Sequence, residues 1–271
     1  MEQVPKLVYE YVRQGHDPLH VYQGKRVPFS ESMVSAFQNS PTAMKYKAAH
    51  EMFQKARSIL DQYTKAGVDT ESDCDFLQPA FQCYSKAYMC DNVLYDRSKP
   101  PDNTPDIVDQ YLTHRPDDIL SEFCKHIFVT KSHHIGSDFS KFEHVQMAIR
   151  TYEIFAMKVQ EAKTTSENRC QILNTLYTRL GSLYTTTEQR LRAIDSFQKA
   201  YDNDHGDHES LFGIAWWLWH DDPAKAIKLI HKYLDSAPEC HRKYYDAYYT
   251  LSLIYIKGTP ALRSFDWITI G

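Results

Sequence analysis

Tyr177-x-x-Leu180-Gly181-x-x-Tyr184 is followed, after a short polar turn, by Ala193-x-x-x-Phe197-x-x-Ala200. Its three- and four-residue steps put each set of residues on one face of a helix. Small residues at Gly181, Ala193 and Ala200 let two helix backbones approach closely, while Tyr177, Tyr184 and Phe197 fill the space above and below that approach. The stretch therefore reads as an antiparallel helical hairpin.

Working outward, the same periodicity predicts helices over 42–63, 76–91, 141–163, 168–184, 187–201, 208–220, 223–234 and 241–256, with a short one around 120–128. Thr187 is expected to cap the orphan amides of its helix, and Asp222-Pro223 places a capping carboxylate before a proline suited to the first helical position. Ser236-Ala237-Pro238 and Lys257-Gly258-Thr259-Pro260 read as stops. Ser98-Lys99-Pro100-Pro101-Asp102-Asn103-Thr104-Pro105 predicts a long loop or hinge between 91 and 116, and 131–138 a second break. Residues 1–40, with Gly15, Pro18, Gly24, Pro28 and Pro41 at their end, read as irregular.

The hairpin pattern recurs with losses. Phe212-Gly213-x-x-Trp216, then Ala226-x-x-x-Ile230, forms a second unit in which Glu209 takes the place of the first aromatic. Tyr248-x-x-Leu251-Ser252-x-x-Tyr255 begins a third, with Ser for Gly. Only residues 259–271 follow, and Ser264–Gly271 lacks a helical pattern, so the last hairpin reads as incomplete, as in a truncated or alternatively ended chain. Upstream, Ala49-x-x-x-Phe53-x-x-Ala56, Ala80-x-x-x-Tyr84-x-x-Ala87 and Tyr152-x-x-Phe155-Ala156-x-x-Val159 imitate single helices of the unit and suggest degenerate repeats.

On these residues the chain resembles the tetratricopeptide repeat family. The resemblance implies an all-α fold, a right-handed superhelical α-solenoid of antiparallel hairpins, here with an irregular N-terminal part. The expected organisation is a mostly helical region over 1–140 with an insertion near 91–140, repeat hairpins over 141–258 and a tail over 259–271. In such repeats the first helices line a concave groove. Carried onto this chain, the groove residues are Thr175, Thr178, Ser182 and Thr185, then Ser210, Ile214 and Trp217, then Tyr249, Leu253 and Ile256. The resemblance implies a peptide or helix of a partner held by the apolar residues, with the hydroxyls meeting its backbone. One subgroup grips acidic C-termini with Lys, Asn and Arg in the groove; Thr178 and Ser182 occupy those places here, which disfavours that ligand.

Composition narrows the alternatives. The 271 residues carry 31 Lys+Arg and 35 Asp+Glu, with 17 basic and 20 acidic side chains up to residue 150 and 14 and 15 beyond. No half is basic, so nucleic acid is a disfavoured partner; an RNA or nucleotide pocket would need Arg150, Arg179, Arg190 and Arg192 to converge. Lys225, Lys228 and Lys232 form a positive stripe that reads as an ordinary solvated face. Apolar runs such as 214–219 fall short of a membrane span. The N-terminus shows no secretory pattern, and six cysteines lie without a C-x-x-C pair, so a reducing, cytoplasmic location with free thiols is expected.

Chemistry is thin. Cys124, His126, His133 and His134 form the densest cluster of soft ligands, but their spacing fits no zinc pattern. Asp202–Glu209 superficially suggests a calcium loop, yet Gly213 stands where a bidentate Glu is required, so it reads as an acidic turn. No phosphate-binding glycine loop, nucleophile elbow or H-E-x-x-H is present. The sequence thus points to a non-enzymatic scaffold or adaptor without cofactor or metal. Its incomplete end also offers a surface for self-association.

Overall fold

The computed structural model describes residues 41–66, 74–90, 103–135, 142–237 and 243–258. Residues 1–40 and the tail 259–271, on which expectations were placed above, lie outside them. Among the described residues there are ten helices and no strand: α1 Pro41–Ala66, α2 Cys74–Cys90, α3 Thr104–His114, α4 Ile119–Ile135, α5 Phe142–Glu161, α6 Ser166–Thr186, α7 Arg190–Asn203, α8 His208–Leu218, α9 Pro223–Ser236 and α10 Tyr244–Gly258. The all-α class is as expected. None of these helices is long and apolar enough to cross a membrane. Two compact units divide within α6, one reaching Thr175 and the other starting at Leu176.

In the first unit α1 packs against α2. Ala49, Phe53 and Ala56 are buried, as are Ala80, Tyr84 and Ala87, and the rings of Phe53 and Tyr84 meet edge-on at 4.9 Å. The two upstream pattern matches therefore sit on consecutive helices packed face to face; their shared spacing reports one hairpin, not the second helices of two successive ones. Tyr84 also meets Phe128 of α4 at 5.4 Å, and Phe123 of α4 stacks with Phe155 of α5 at 6.2 Å.

The predicted loop over 91–116 requires correction, because α3 occupies 104–114. Its start has a cause: Thr104-Pro105 puts a proline in the first turn, where the missing N–H costs nothing, and Ile107, Val108 and Tyr111 then recur at helical spacing and are buried. The predicted break at 131–138 also moves, since α4 runs on to Ile135.

The second unit repeats one arrangement. Phe197 of α7 lies with one ring edge toward Gly181 of α6 and the other toward Gly213 of α8. A Cβ at position 181 would come within 2.6 Å of that ring, and one at 213 within 2.7 Å. Lys199 Nζ lies 5.7 Å from the centre of the Tyr177 ring, and Arg192 Cζ the same distance from that of Tyr184. Residues rising along α7 thus meet residues descending along α6, the antiparallel hairpin read from the sequence. Leu211, Phe212 and Ala215 of α8, Ala226, Ile230 and Tyr233 of α9, and Ala247, Leu251 and Ile254 of α10 share one further core.

Helix ends follow local chemistry. Asp222 caps α9 as expected, accepting from the Lys225 amide at 2.9 Å. Ala237 is extended, the conformation forced on a residue before proline. Thr187 is not the cap of α7. Its hydroxyl donates back to the Leu183 carbonyl at 3.1 Å, and α6 continues to Thr186. Glu188 adopts φ 57°, its amide bonds Thr185 O at 3.1 Å, and the Gln189 amide reaches Tyr184 O at 2.9 Å. This is the αL helix stop usually given to glycine.

An alanine at position 181 normally strengthens a helix by about 1 kcal/mol over glycine. Here we expect Gly181→Ala to destabilise the chain by about 1–3 kcal/mol, because its methyl would overlap Phe197. Urea unfolding of Gly181→Ala, with and without Phe197→Leu to reopen the space, measures it; the second change is expected to recover part of the loss.

Candidate functional site

The groove residues taken from the sequence are brought together in part. Thr178 of α6 donates to Asp207 Oδ2 at 2.7 Å and lies 3.0 Å from the Ser210 hydroxyl, which itself donates to Asp207 Oδ2 at 2.6 Å. About two turns further along, the Trp217 indole N–H donates to Thr185 Oγ1 at 2.9 Å. These bonds tie α6 to α8 in a single parallel register, the same one in which Gly181 and Gly213 share Phe197. Asp207 is also the cap of α8, accepting from the Ser210 amide at 3.0 Å.

The hydroxyls along this face are committed as donors. Ser182 donates to Thr178 O at 3.1 Å, Thr185 to Gly181 O at 2.8 Å and Thr175 to Gln171 O at 2.9 Å. Such back-bonding to the preceding turn satisfies the O–H within the helix. A partner backbone would meet oxygen lone pairs here. Ile214 is 2% exposed and belongs to the packing of α8. Trp217 and Leu253 are half-buried, and Tyr249 is 62% exposed. The surface that remains is aromatic and aliphatic, with Trp217 held in place by its bond to Thr185.

Asp207 and Ser210 were missed as bridging residues because Asp202–Glu209 was read only as an acidic turn. The signal was present: an aspartate directly before an apolar helical run is a capping position.

The cations behave as packing residues. Arg190 pairs with Asp221, which holds that carboxyl below its usual range, and Arg192 lies over Tyr184 while donating to the Gln189 side chain at 3.3 Å. Lys232 Nζ sits 4.9 Å from the centre of the Tyr201 ring. Arg190 and Arg192, two of the four arginines an RNA pocket would have needed, have intramolecular contacts.

The other chemistry-bearing residues lie in the first unit. Cys124 is fully buried, and burial, with the Asp118 charge adding, pushes its thiol well above the ordinary range despite a hydrogen bond with Ser85. A buried thiol of this kind is a poor nucleophile. His126 packs on Phe155 at 4.4 Å and lies 3.8 Å from Glu122, whose other oxygen takes Lys158 at 2.5 Å. The side chains of His133 and His134 lie outside the described residues. Among the described residues no three His, Cys, Asp or Glu converge as a metal site.

A cavity of about 470 Å³ lies where α2 meets the α3–α4 and α5–α6 turns, lined among others by Gln78, Gln82, Arg115, Asp118, Lys163 and Asn168. Asp118 is its structural centre. It accepts from Gln78 at 3.0 Å, from the Tyr111 hydroxyl at 2.8 Å, and from the Ser121 hydroxyl and amide at 2.9 and 3.2 Å. Burial raises its pKa, but these donors together outweigh it and hold the carboxyl below the ordinary value.

No family model matches the chain, and no curated protein is significantly similar to it. Any assignment rests on the chain's own residues.

Two outcomes follow from this geometry. Asp207→Ala is expected to cost about 1–2 kcal/mol by removing the α8 cap and the bridge to Thr178, read as a lower midpoint in urea. Asp118, with a folded pKa below its unfolded value of about 3.9, stabilises the chain above that value, and the effect is lost as pH falls through the folded one. Asp118→Asn should therefore lower stability at pH 7 by about 1–3 kcal/mol and flatten the fall of thermal midpoint between about pH 4 and 2.

Proposed function

We propose that the chain is a non-enzymatic scaffold of the tetratricopeptide type, whose stacked hairpins hold a peptide or helix of a partner protein against α6, α8 and α10 without turnover or cofactor, in the cytoplasm. The observation that carries this reading is the shared register of α6 and α8 around Phe197. One ring between two glycines, and two polar bridges with equal spacing, are what stacking of successive hairpins requires. The same register puts Trp217 on the side where α6 and α8 meet, while Tyr249 and Leu253 extend the apolar character onto α10. Interfaces draw most of their affinity from a few such aromatic anchors on rigid elements.

The RNA or nucleotide reading has less support, because Arg190 and Arg192 are engaged with Asp221 and Tyr184. Enzymatic use of Cys124 is opposed by its burial and raised pKa.

The test is photo-crosslinking from a benzophenone amino acid at position 249 in cell extract, followed by sequencing of the attached peptide. One partner segment should be captured reproducibly, and Trp217→Ala with Leu253→Ser should lower its affinity at least tenfold while the circular dichroism of the chain stays helical. If Trp217→Ala unfolds the chain instead, Trp217 is a packing residue and the groove is misplaced. Capture that falls steeply with salt and is abolished by ribonuclease would favour the RNA reading.

A further inference from the structure

The cavity between α2 and the α3–α4 and α5–α6 turns lies wholly within the first unit, and its volume of about 470 Å³ is that of a small-molecule site. Its walls are tied from within. Asp118 joins the α3–α4 turn to α2 through Gln78, and the Arg169 guanidinium donates to Ala162 O at 2.9 Å, closing the α5–α6 turn. An ionised carboxylate offers about four acceptor sites, and those of Asp118 are taken by Gln78, Tyr111 and the Ser121 hydroxyl and amide. Asp118 is therefore a strut with no acceptor left for a ligand.

The remaining polar groups are uncommitted and of both signs. Among the described residues, the side chains of Asp117, Lys163, Gln82 and Asn168, which line the cavity, have no hydrogen-bond or ion-pair partner. Arg115 pairs with Asp75, whose side chain is 93% exposed, and so exposed a pair is weak enough to yield to a ligand. Gln82 and Asn168 are partly buried whereas Arg115, Asp117 and Lys163 are exposed, so the carboxamides lie inward of a charged rim. An anion alone would be opposed by Asp117, and a cation alone by Lys163 and Arg115.

We infer that this cavity binds a small zwitterion, an α-amino acid with a polar side chain, whose carboxylate meets Lys163 and Arg115, whose ammonium meets Asp117 and whose side chain bonds with Gln82 and Asn168. Carboxamides both donate and accept, so they suit a hydroxyl or amide of the ligand. Apart from Pro116, Ile119 and Leu120 the lining is polar, which leaves little to hold a hydrocarbon side chain. Walls fixed before binding lower the ordering cost of capture. No residue of the second unit takes part, so the site stands or falls independently of the groove at Trp217, Tyr249 and Leu253.

The probes are the free L-amino acids, screened at about 5 mM for a rise in the thermal midpoint of the full chain, the strongest then being titrated by calorimetry. Saturable binding with Kd on the order of 10 μM to 1 mM is expected for a ligand of this size. Its α-carboxamide and its N-acetyl derivative should each bind about threefold or more weakly, because each removes one charge. Lys163→Ala should weaken the parent amino acid and narrow its advantage over the α-carboxamide; Asp117→Asn should do the same relative to the N-acetyl derivative. Trp217→Ala with Leu253→Ser should leave the affinity within about twofold. Circular dichroism and urea midpoints of the Lys163 and Asp117 variants should match those of the parent chain. If no amino acid binds with Kd below about 10 mM, or if Lys163→Ala and Asp117→Asn both leave the affinity unchanged, the inference is overturned and the groove reading still stands. Equal or tighter binding of the N-acetyl derivative, displaced by inorganic phosphate, would make the cavity a plain anion site and overturn it too.

Discussion

The second unit depends on one side chain. Phe197 presents opposite edges of its ring to Gly181 and Gly213, so a single residue fixes the distance of α7 from α6 and from α8. Close-packed interiors tolerate little change in volume, and here neither glycine position has room for a methyl group. Once that distance is set, Thr178 can reach Asp207 and Trp217 can reach Thr185, and the polar bridges lock a register that the ring alone leaves free to slide. The packing contact sets the spacing and the hydrogen bonds set the alignment.

The first unit is built on a different compromise. Its core is aromatic, with Phe53, Tyr84, Phe128, Phe123 and Phe155 meeting across α1, α2, α4 and α5. In the same unit a carboxylate, Asp118, joins α2, α3 and α4 through four hydrogen bonds. A half-buried charge is tolerated because its oxygens are provided with donors, which is the condition for keeping a charge away from water. The cavity beside it takes its polar lining from α2 and from the α3–α4 and α5–α6 turns.

Surface chemistry and packing are linked throughout the second unit. Lys232, one of the three lysines of the stripe read in the sequence, lies over Tyr201, as Lys199 lies over Tyr177 and Arg192 over Tyr184, covering aromatic rings while their charges stay near water. On α10, Tyr245, Tyr248, Tyr249 and Tyr255 each keep about half or more of their surface exposed. An aromatic side chain on a rigid helix presents a large area at low entropic cost.

The sequence alone determined the helical class, the antiparallel hairpin of α6 and α7, the small residues at Gly181 and Gly213, and the Asp222 cap, because each depends on spacing within a few residues. It misjudged 104–114, where a proline-rich approach outweighed the apolar residues Ile107, Val108 and Tyr111, and it placed the α7 cap at Thr187, whose hydroxyl instead closes onto its own preceding turn. It singled out Trp217, Thr185 and Thr178 but not that they bond across helices, nor that Asp207 and Ser210 complete the bridge. It counted Ile214 as surface, although α8 is packed over 210–215. Periodicity tells which face of a helix is apolar; only the tertiary structure decides which neighbour covers that face, because burial depends on every helix that reaches it and not on one.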